Sequence, residues 1–374
     1  MDVQQPGGRT ARRGTRVGVA LALSALSLAP VLAAPAAADG ASVTVLVPGL
    51  DNPRGITVGP DGQVYVAEAG TGAPGSGKVV ALDGGHLRTV AAGLPSATAH
   101  ENDVTGPTNV AVSPQGKLVA TIGAGPQIVD GRYNSLLRLE PGTDKSLADI
   151  QSFITAHPDL TDLDQPPNPT DSNPYGVAWV DSTHYLVADA AANRLLMVGP
   201  AGSVRAVAKL PNQLVSTAGV PGGFPVPVKP AEAVPTSVAI GPDGFAYVGE
   251  LKGFPFTPGT SRIWRVSPWA QDVTCDPAAT SGPCTVYADG FTAITGLGFG
   301  PDGSLYVVSF LKNGLLADGP PVGGLYRLHD GARTELAAGL LTLPGDVAVS
   351  RTGTVYVTNL SVSSGGGQVF TVTP

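Results

Sequence analysis

Charge, histidine, cysteine and long apolar runs are all scarce in this chain of 374 residues, and each scarcity excludes something. Charged side chains make up 14% and the formal net charge is −7, so no basic field exists to draw nucleic acid or an anionic membrane. The five histidines, at 86, 100, 157, 184 and 329, include no metal-spaced pair. No Gly-x-Ser-x-Gly elbow occurs, so the commonest hydrolase signature is missing. The two cysteines, Cys275 and Cys284, fall in one loop, and in an oxidising compartment a local disulfide between them is expected. No apolar run reaches the roughly 20 residues that a membrane span needs.

What is abundant is glycine (50) and proline (35), with 43% hydrophobic residues. That mixture suits many short strands joined by turns, and the apolar share is too high for disorder. The N-terminus reads separately. Arg9, Arg12, Arg13 and Arg16 precede an apolar run at 17–32, and Ala36, Ala37 and Ala38 offer a small-residue cleavage site. Residues 1–38 are therefore predicted to be a secretory signal peptide, leaving 39–374 as a single domain. Removing the leader subtracts four basic side chains and one acidic one, which moves the net charge to −10. The mature protein is expected outside the cytoplasm, extracellular or at the cell envelope.

The chain is built on one phrase, AVPTSVAIGPDGFAYVGELK at 233–252: a strand, a Gly-Pro-Asp-Gly reversal and a second strand. The same frame fits 53–69, 107–123, 174–191, 294–310 and 344–360, with starts separated by 54, 67, 61, 59 and 50 residues. With the first frame residue as position zero, position nine is Gly62, Gly116, Gly244, Gly303 and Gly353, and only the third copy differs, with Thr183. Positions three and five are large and apolar, as in Val238 and Ile240, and position four between them is small, as in Ala239. Large and small faces of neighbouring strands can nest, and nothing in this pattern requires a helix. Two further strand-like runs follow most copies, such as GKVVALD (77–83) and HLRTVAAGL (86–94). Six units of four antiparallel strands predict an all-β, six-bladed β-propeller.

The sixth unit has only three runs, and the fourth stands at the other end of the chain. The segment at about 42–50 is predicted to close the ring on about 367–374, with 43–47 pairing 369–372. Strand direction then sorts the loops. Short turns gather on one face, apart from 141–148 and the cysteine loop at 269–284. The long connections 70–77, 95–108, 123–134, 158–174, 211–235, 251–261 and 310–323 gather on the other, which is the expected working surface.

Several phrases carry a resemblance: LDNPRGITVGPDGQVYVAEAG (50–70), DSNPYGVAWV (171–180), AVPTSVAIGPDGFAYVGELKGFPFTPGTSRIWRV (233–266) and LKNGLL (311–316). Together they resemble the ScyD/ScyE family of exported bacterial propellers, over essentially the whole mature chain. The repeat frame alone is similar to NHL propellers generally. The resemblance implies a six-bladed exported propeller and brings no reaction or catalytic set with it.

Candidate sites follow from the faces. At frame position fifteen, where second strands emerge on the long-loop face, stand Glu68, Asp189, Glu250, Ser309 and Asn359. A ring of their oxygens, drawn chiefly from Glu68, Asp189, Glu250 and Asn359, is a candidate calcium site. Arg54, Asn109 and Tyr175 lie near the starts of the inner strands, with Thr236 and Asp346. Phe224, Phe254 and Phe256, in two long loops flanking blade four, could line an apolar pocket with Tyr175. His100 with Glu101 is the one candidate for a general base. The near phosphate loop GAPGSGK at 72–78 lacks both the Ser/Thr and the helix that such a loop needs. Two readings result. The first is an exported scaffold that binds a small molecule, glycan or partner protein on its long-loop face. The alternative is a calcium-dependent lactonase-type hydrolase with an axial metal, which rests on analogy between folds.

Overall fold

The computed structural model describes residues 41–83, 85–100, 103–140 and 143–373, without the side chains of His100 and Thr143. The predicted leader and Glu101 lie outside these residues. Six antiparallel sheets of at least four strands form the ring, one per repeat. Blade one runs outward from Pro53–Val58 through Val64–Glu68 and Gly77–Asp83 to His86–Leu94. The inner strands of the other five are Pro107–Val112, Pro174–Trp179, Pro235–Ile240, Ile294–Phe299 and Val347–Val349. No described helix is long and apolar enough to cross a membrane.

The ring closes as the strand count requires. Ser42–Leu50 pairs antiparallel with Gly367–Thr373, with Val43 opposite Val372, Val45 opposite Phe370 and Val47 opposite Val369. Val47 and Leu50 are 3% and 0% exposed, so the closing strand is anchored by apolar burial as well as by its ladder.

The core is not central but divided among the blade interfaces. Six apolar clusters occupy the six junctions between neighbouring blades. The cluster between blades three and four, for example, joins Leu186, Leu195 and Met197 to Val238, Val248 and the fully buried Trp264. Hydrogen bonds reinforce these junctions near the axis. Thr108, Thr236 and Thr295, all at frame position one, donate their hydroxyls to the first carbonyl of the next blade, on Pro174, Ile294 and Pro344.

The short turns explain the frame glycine. Gly62, Gly116, Gly244, Gly303 and Gly353 all have φ between 76° and 87°, where a side chain is strained. In blade three the turn is carried instead by Asp181, whose Oδ1 accepts from the Thr183 and His184 amides at 2.8 and 3.0 Å.

Four features depart from the sequence pattern. Most of 141–148, expected to lie in a loop, belongs to the fourth strand of blade two, Thr143–Asp149. A helix, Ile150–Ala156, follows it, capped by Asp149 accepting from the Ser152 amide at 3.0 Å. Ile150 and Ile154, spaced by four, are buried against blades two and three, which gives the helix its reason. Two long connections contain hairpins, Ala97–His100 with Asp103–Thr105 and Gln213–Ser216 with Val228–Ala231. Finally, the cysteine loop lends Val273–Thr274 to blade three as a parallel fifth strand beside Val204–Lys209. Cys275 and Cys284 are joined by a disulfide, so this covalent link ties the edge of blade three to the outer strand of blade four.

Candidate functional site

The starts of the inner strands build a closed polar floor across the axis. Frame position two alternates around the ring: Gly55, Asn109, Gly176, Ser237, Gly296 and Asp346. A Cβ on Gly55 would lie 2.5 Å from the Asn109 side chain, and one on Gly296 2.5 Å from Asp346, so the glycines make room for the polar groups. Asn109 Nδ2 donates to Asp346 Oδ2 at 3.2 Å, and the Ile56 amide donates to the same oxygen at 3.1 Å. The Val347 amide donates to Asp346 Oδ1 at 2.8 Å. Burial outweighs these donors and pushes the Asp346 carboxyl up to about 7.

Below the floor the axis is a cavity of about 270 Å³, walled by the six inner strands. Each inner strand pairs only on its outer side, so its free edge faces the axis. At the short-turn end Val58, Val112, Trp179, Ile240, Phe299 and Val349 are half-buried, whereas Asn109, Ser237 and Asp346 at the other end are buried. The well therefore opens toward the short turns and is shut toward the long loops.

On the long-loop side Arg54 sits over the floor, only 7% exposed. Its Nη2 donates to the Val104 carbonyl at 2.9 Å and to Asp103 Oδ1 at 3.2 Å. Tyr175 and Phe256 pack on one apolar cluster of Ala190, Val234, Leu251, Ala293, Phe310 and Leu311. Phe254 meets Phe256 edge-on at 6.0 Å and Phe224 at 5.6 Å between ring centroids. Lys229 Nζ stands 4.7 Å from the Phe254 ring centre and donates to the Phe254 carbonyl. The predicted ligand-binding set thus falls into layers: Arg54 and Asn109 at the axis, Tyr175 and Phe256 in the apolar layer, and Phe254 and Phe224 outward. Phe224 is 36% exposed.

The oxygens at frame position fifteen are not brought together. Glu68 Oε2 accepts from the Asp51 amide at 2.6 Å and pairs with Lys78 at 3.3 Å. Asp189 accepts from the Ser172 hydroxyl at 2.6 Å and the Asn173 amide at 2.8 Å. Glu250 takes the Trp264 indole N–H at 2.7 Å, the Arg262 amide at 3.1 Å and the buried Lys252 ammonium at 2.6 Å. Asn359 Oδ1 accepts from the Thr342 amide at 2.8 Å. Each turns into its own blade and satisfies backbone donors there, which would otherwise be buried without partners. The axial calcium ring expected from the sequence does not fit this arrangement. Burial raises the pKa of Glu68 and of Asp189 despite these donors.

Other candidates are placed as follows. The backbone of His100 ends the strand Ala97–His100 on the long-loop face, opposite Asp103. Lys78, the lysine of the near phosphate loop, bridges Asp51 and Glu68, and its neighbour Gly77 opens a strand.

An acidic trough escaped the sequence reading. Asp162, Asp164 and Glu232 bring carboxylate oxygens within 4.8 Å of one another, the one such group among the described residues. Leu163 and Asn193 donate to Glu232 Oε1, tying the 158–174 loop to the base of the hairpin in 211–235. Burial, aided by Asp164 and Asp162, pushes Glu232 up to about 7, and burial pushes nearby Asp171 up to about 6. These three carboxylates are the ones placed to share a cation. The spacing Asp159, Asp162, Asp164 in one long loop was the available signal, but Glu232 joins them only through the fold.

No protein-family model matches the chain, and no curated protein matches it. Solved structures do. A structural-genomics protein of unknown function from Bacteroides thetaiotaomicron is similar at TM-score 0.55 and 10% identity, over 89% of this chain and 76% of that one. A PQQ-bound aldose sugar dehydrogenase from Streptomyces coelicolor is similar at TM-score 0.54 and 14% identity, over 91% and 99%. A putative gluconolactonase is similar at TM-score 0.50 and 13% identity, over 89% and 92%. At such identities the likeness is one of fold, a β-propeller shared by proteins of different activities.

Proposed function

We propose that this chain is an exported binding propeller, of the ScyD/ScyE kind, that takes up a ligand or partner on its long-loop face through apolar contact. One observation carries the reading. Of eleven exposed large apolar side chains among the described residues, seven stand in long-loop connections: Ile128, Val129, Leu160, Leu214, Phe224, Val226 and Val228. Ile128 is 98% and Leu160 86% exposed, in loops that packing does not oblige to be apolar. Exposed apolar side chains gathered on one face of a rigid scaffold suit recognition. The hydrolase alternative receives less support, because the carboxylates it needed at the axis are held inside their own blades.

The test uses Nile red, an uncharged dye that brightens on apolar surfaces. The wild-type chain is expected to bind it saturably. Replacing Leu160, Leu214, Phe224 and Val226 together by serine is expected to remove most of that signal without changing the circular dichroism spectrum. No dye binding by the wild type, or equal binding by the variant, would count against the reading.

A further inference from the structure

The hairpin Gln213–Ser216 with Val228–Ala231 presents one uncovered face. Leu214 pairs with Pro230 and Ser216 with Val228, and all four are exposed, whereas Val215 and Ala231 point inward and are buried. This small sheet face is mostly apolar, with Leu214 at 72% and Val228 at 53% exposure. Its base abuts the acidic trough. Asn212, one residue before the hairpin, donates to the Thr161 carbonyl at 2.7 Å, and Glu232, one residue after it, accepts from the Leu163 amide. Leu160, 86% exposed, precedes Thr161, so the apolar face and the carboxylates adjoin.

The carboxylates of the trough form no close ion pair among the described residues. None of Asp162, Asp164, Asp171 and Glu232 has a Lys, Arg or His partner within 4.0 Å among the described residues. Of the cations nearby, Lys209 pairs with Asp159, and Lys229, whose charge acts on Glu232 from beyond ion-pair distance, donates to the Phe254 carbonyl and lies over its ring. Asn193 supplies a neutral donor to Glu232, and the Asp164 and Asn168 amides donate to Asp162. Half-buried like charges in one trough repel one another, and the attraction of a cationic group placed there would offset that repulsion and the cost of burying the carboxylates.

We propose that the hairpin face and the trough together dock an amphipathic cationic peptide segment, its apolar side chains on Leu214, Val228 and Leu160 and its Lys or Arg side chains toward Asp162, Asp164 and Glu232. The proposal rests on the apolar-face reading above and adds the partner's charge. The net charge of −7 on the whole chain would also speed the approach of such a partner. An acidic or uncharged partner would leave the trough uncompensated.

The experiment titrates the full mature chain with a synthetic peptide of alternating leucine and lysine, and with its leucine–glutamate counterpart, by fluorescence anisotropy. The lysine peptide is expected to bind and the glutamate peptide is not. Raising salt to about 1 M, where the screening length is about 3 Å, is expected to weaken lysine-peptide binding about tenfold or more. The triple variant Asp162→Asn, Asp164→Asn, Glu232→Gln is expected to lose about tenfold at low salt while binding Nile red as the wild type does. Leu214→Ser alone is expected to weaken both probes. Equal binding of the two peptides, salt-independent binding, or an unchanged affinity in the folded triple variant would overturn the proposal. Nile red binding without lysine-peptide binding would overturn it while leaving the apolar-face reading standing; failure of both probes would remove both.

Discussion

The two ends of the inner strands are made of the same repeat and behave differently. At the short-turn end successive blades reuse one solution: a glycine at positive φ, and an aspartate such as Asp61, Asp243 or Asp302 accepting from the amide two residues on. At the long-loop end three blades share a threonine bridge to the next blade, through Thr108, Thr236 and Thr295, and the rest diverges. Asn109 and Asp346 seal the axis, Arg54 lies over them, and hairpins, aromatic rings and unpaired carboxylates diversify what lies above. Repetition marks where the chain solves a packing problem, and its loss marks where individual side chains acquire separate tasks.

This contrast holds only while the ring is closed, so the largest expected effect comes from opening it. Leu50→Ala removes a fully buried side chain at the closing strand and is expected to cost about 2–5 kcal/mol, read by urea denaturation. Deleting residues 42–50 should abolish cooperative unfolding. A cooperative transition unchanged by the deletion would mean that the closing strand is dispensable.

The short-turn end can be loosened on its own. Reducing the Cys275–Cys284 link, or replacing both by serine, is expected to cost about 2–3 kcal/mol and to expose the 269–284 loop to proteolysis. Because the link joins blade three to blade four, it should matter more than a staple inside a single loop would. Cleavage within the long connections instead would reverse this assignment.

At the other end, Gly55→Ala drives a methyl group into Asn109 and is expected to destabilise by about 1–3 kcal/mol. Gly62→Ala has open space around it but sits at φ 86°, so its cost of about 1 kcal/mol should come from backbone strain and not from a clash. No loss on Gly55→Ala would deny the floor its tight packing.

The smallest effect is a pH slope. Burial pushes Glu232 up to about 7 from an ordinary 4.5, and Asp171 up to about 6 from 3.8. The folded state therefore holds protons that the unfolded state has released. The stability these groups contribute is fully present below about pH 4 and is lost as pH rises through 6 to 7. Thermal melts of Glu232→Gln against wild type between pH 4 and 8 should show the variant's midpoint falling less; parallel curves would contradict the shift.

The fold was legible because its signals repeat. Six copies of one frame, a missing strand at one end and a spare strand at the other define both the blade number and the closure. The disulfide was legible from proximity in sequence, though its reach across two blades depends on Val273–Thr274 joining Val204–Lys209, which two residues of sequence do not announce. The functional end was less legible for a physical reason. Polar residues at frame position fifteen mark where strands emerge, but not which way the side chains turn. Glu68, Asp189 and Asn359 turn to the amides of Asp51, Asn173 and Thr342, donors just ahead of each inner strand that need acceptors. The trough of Asp162, Asp164 and Glu232 joins residues about seventy positions apart, beyond the reach of any local pattern.

The most direct measurement is amide hydrogen exchange of residues 39–374 with and without saturating Nile red, resolved by mass spectrometry. The account predicts added protection in 123–134, 158–174 and 211–235, with none in the glycine turns at 59–63, 241–245 and 300–304. Protection confined to those turns, at the mouth of the axial well, would contradict it.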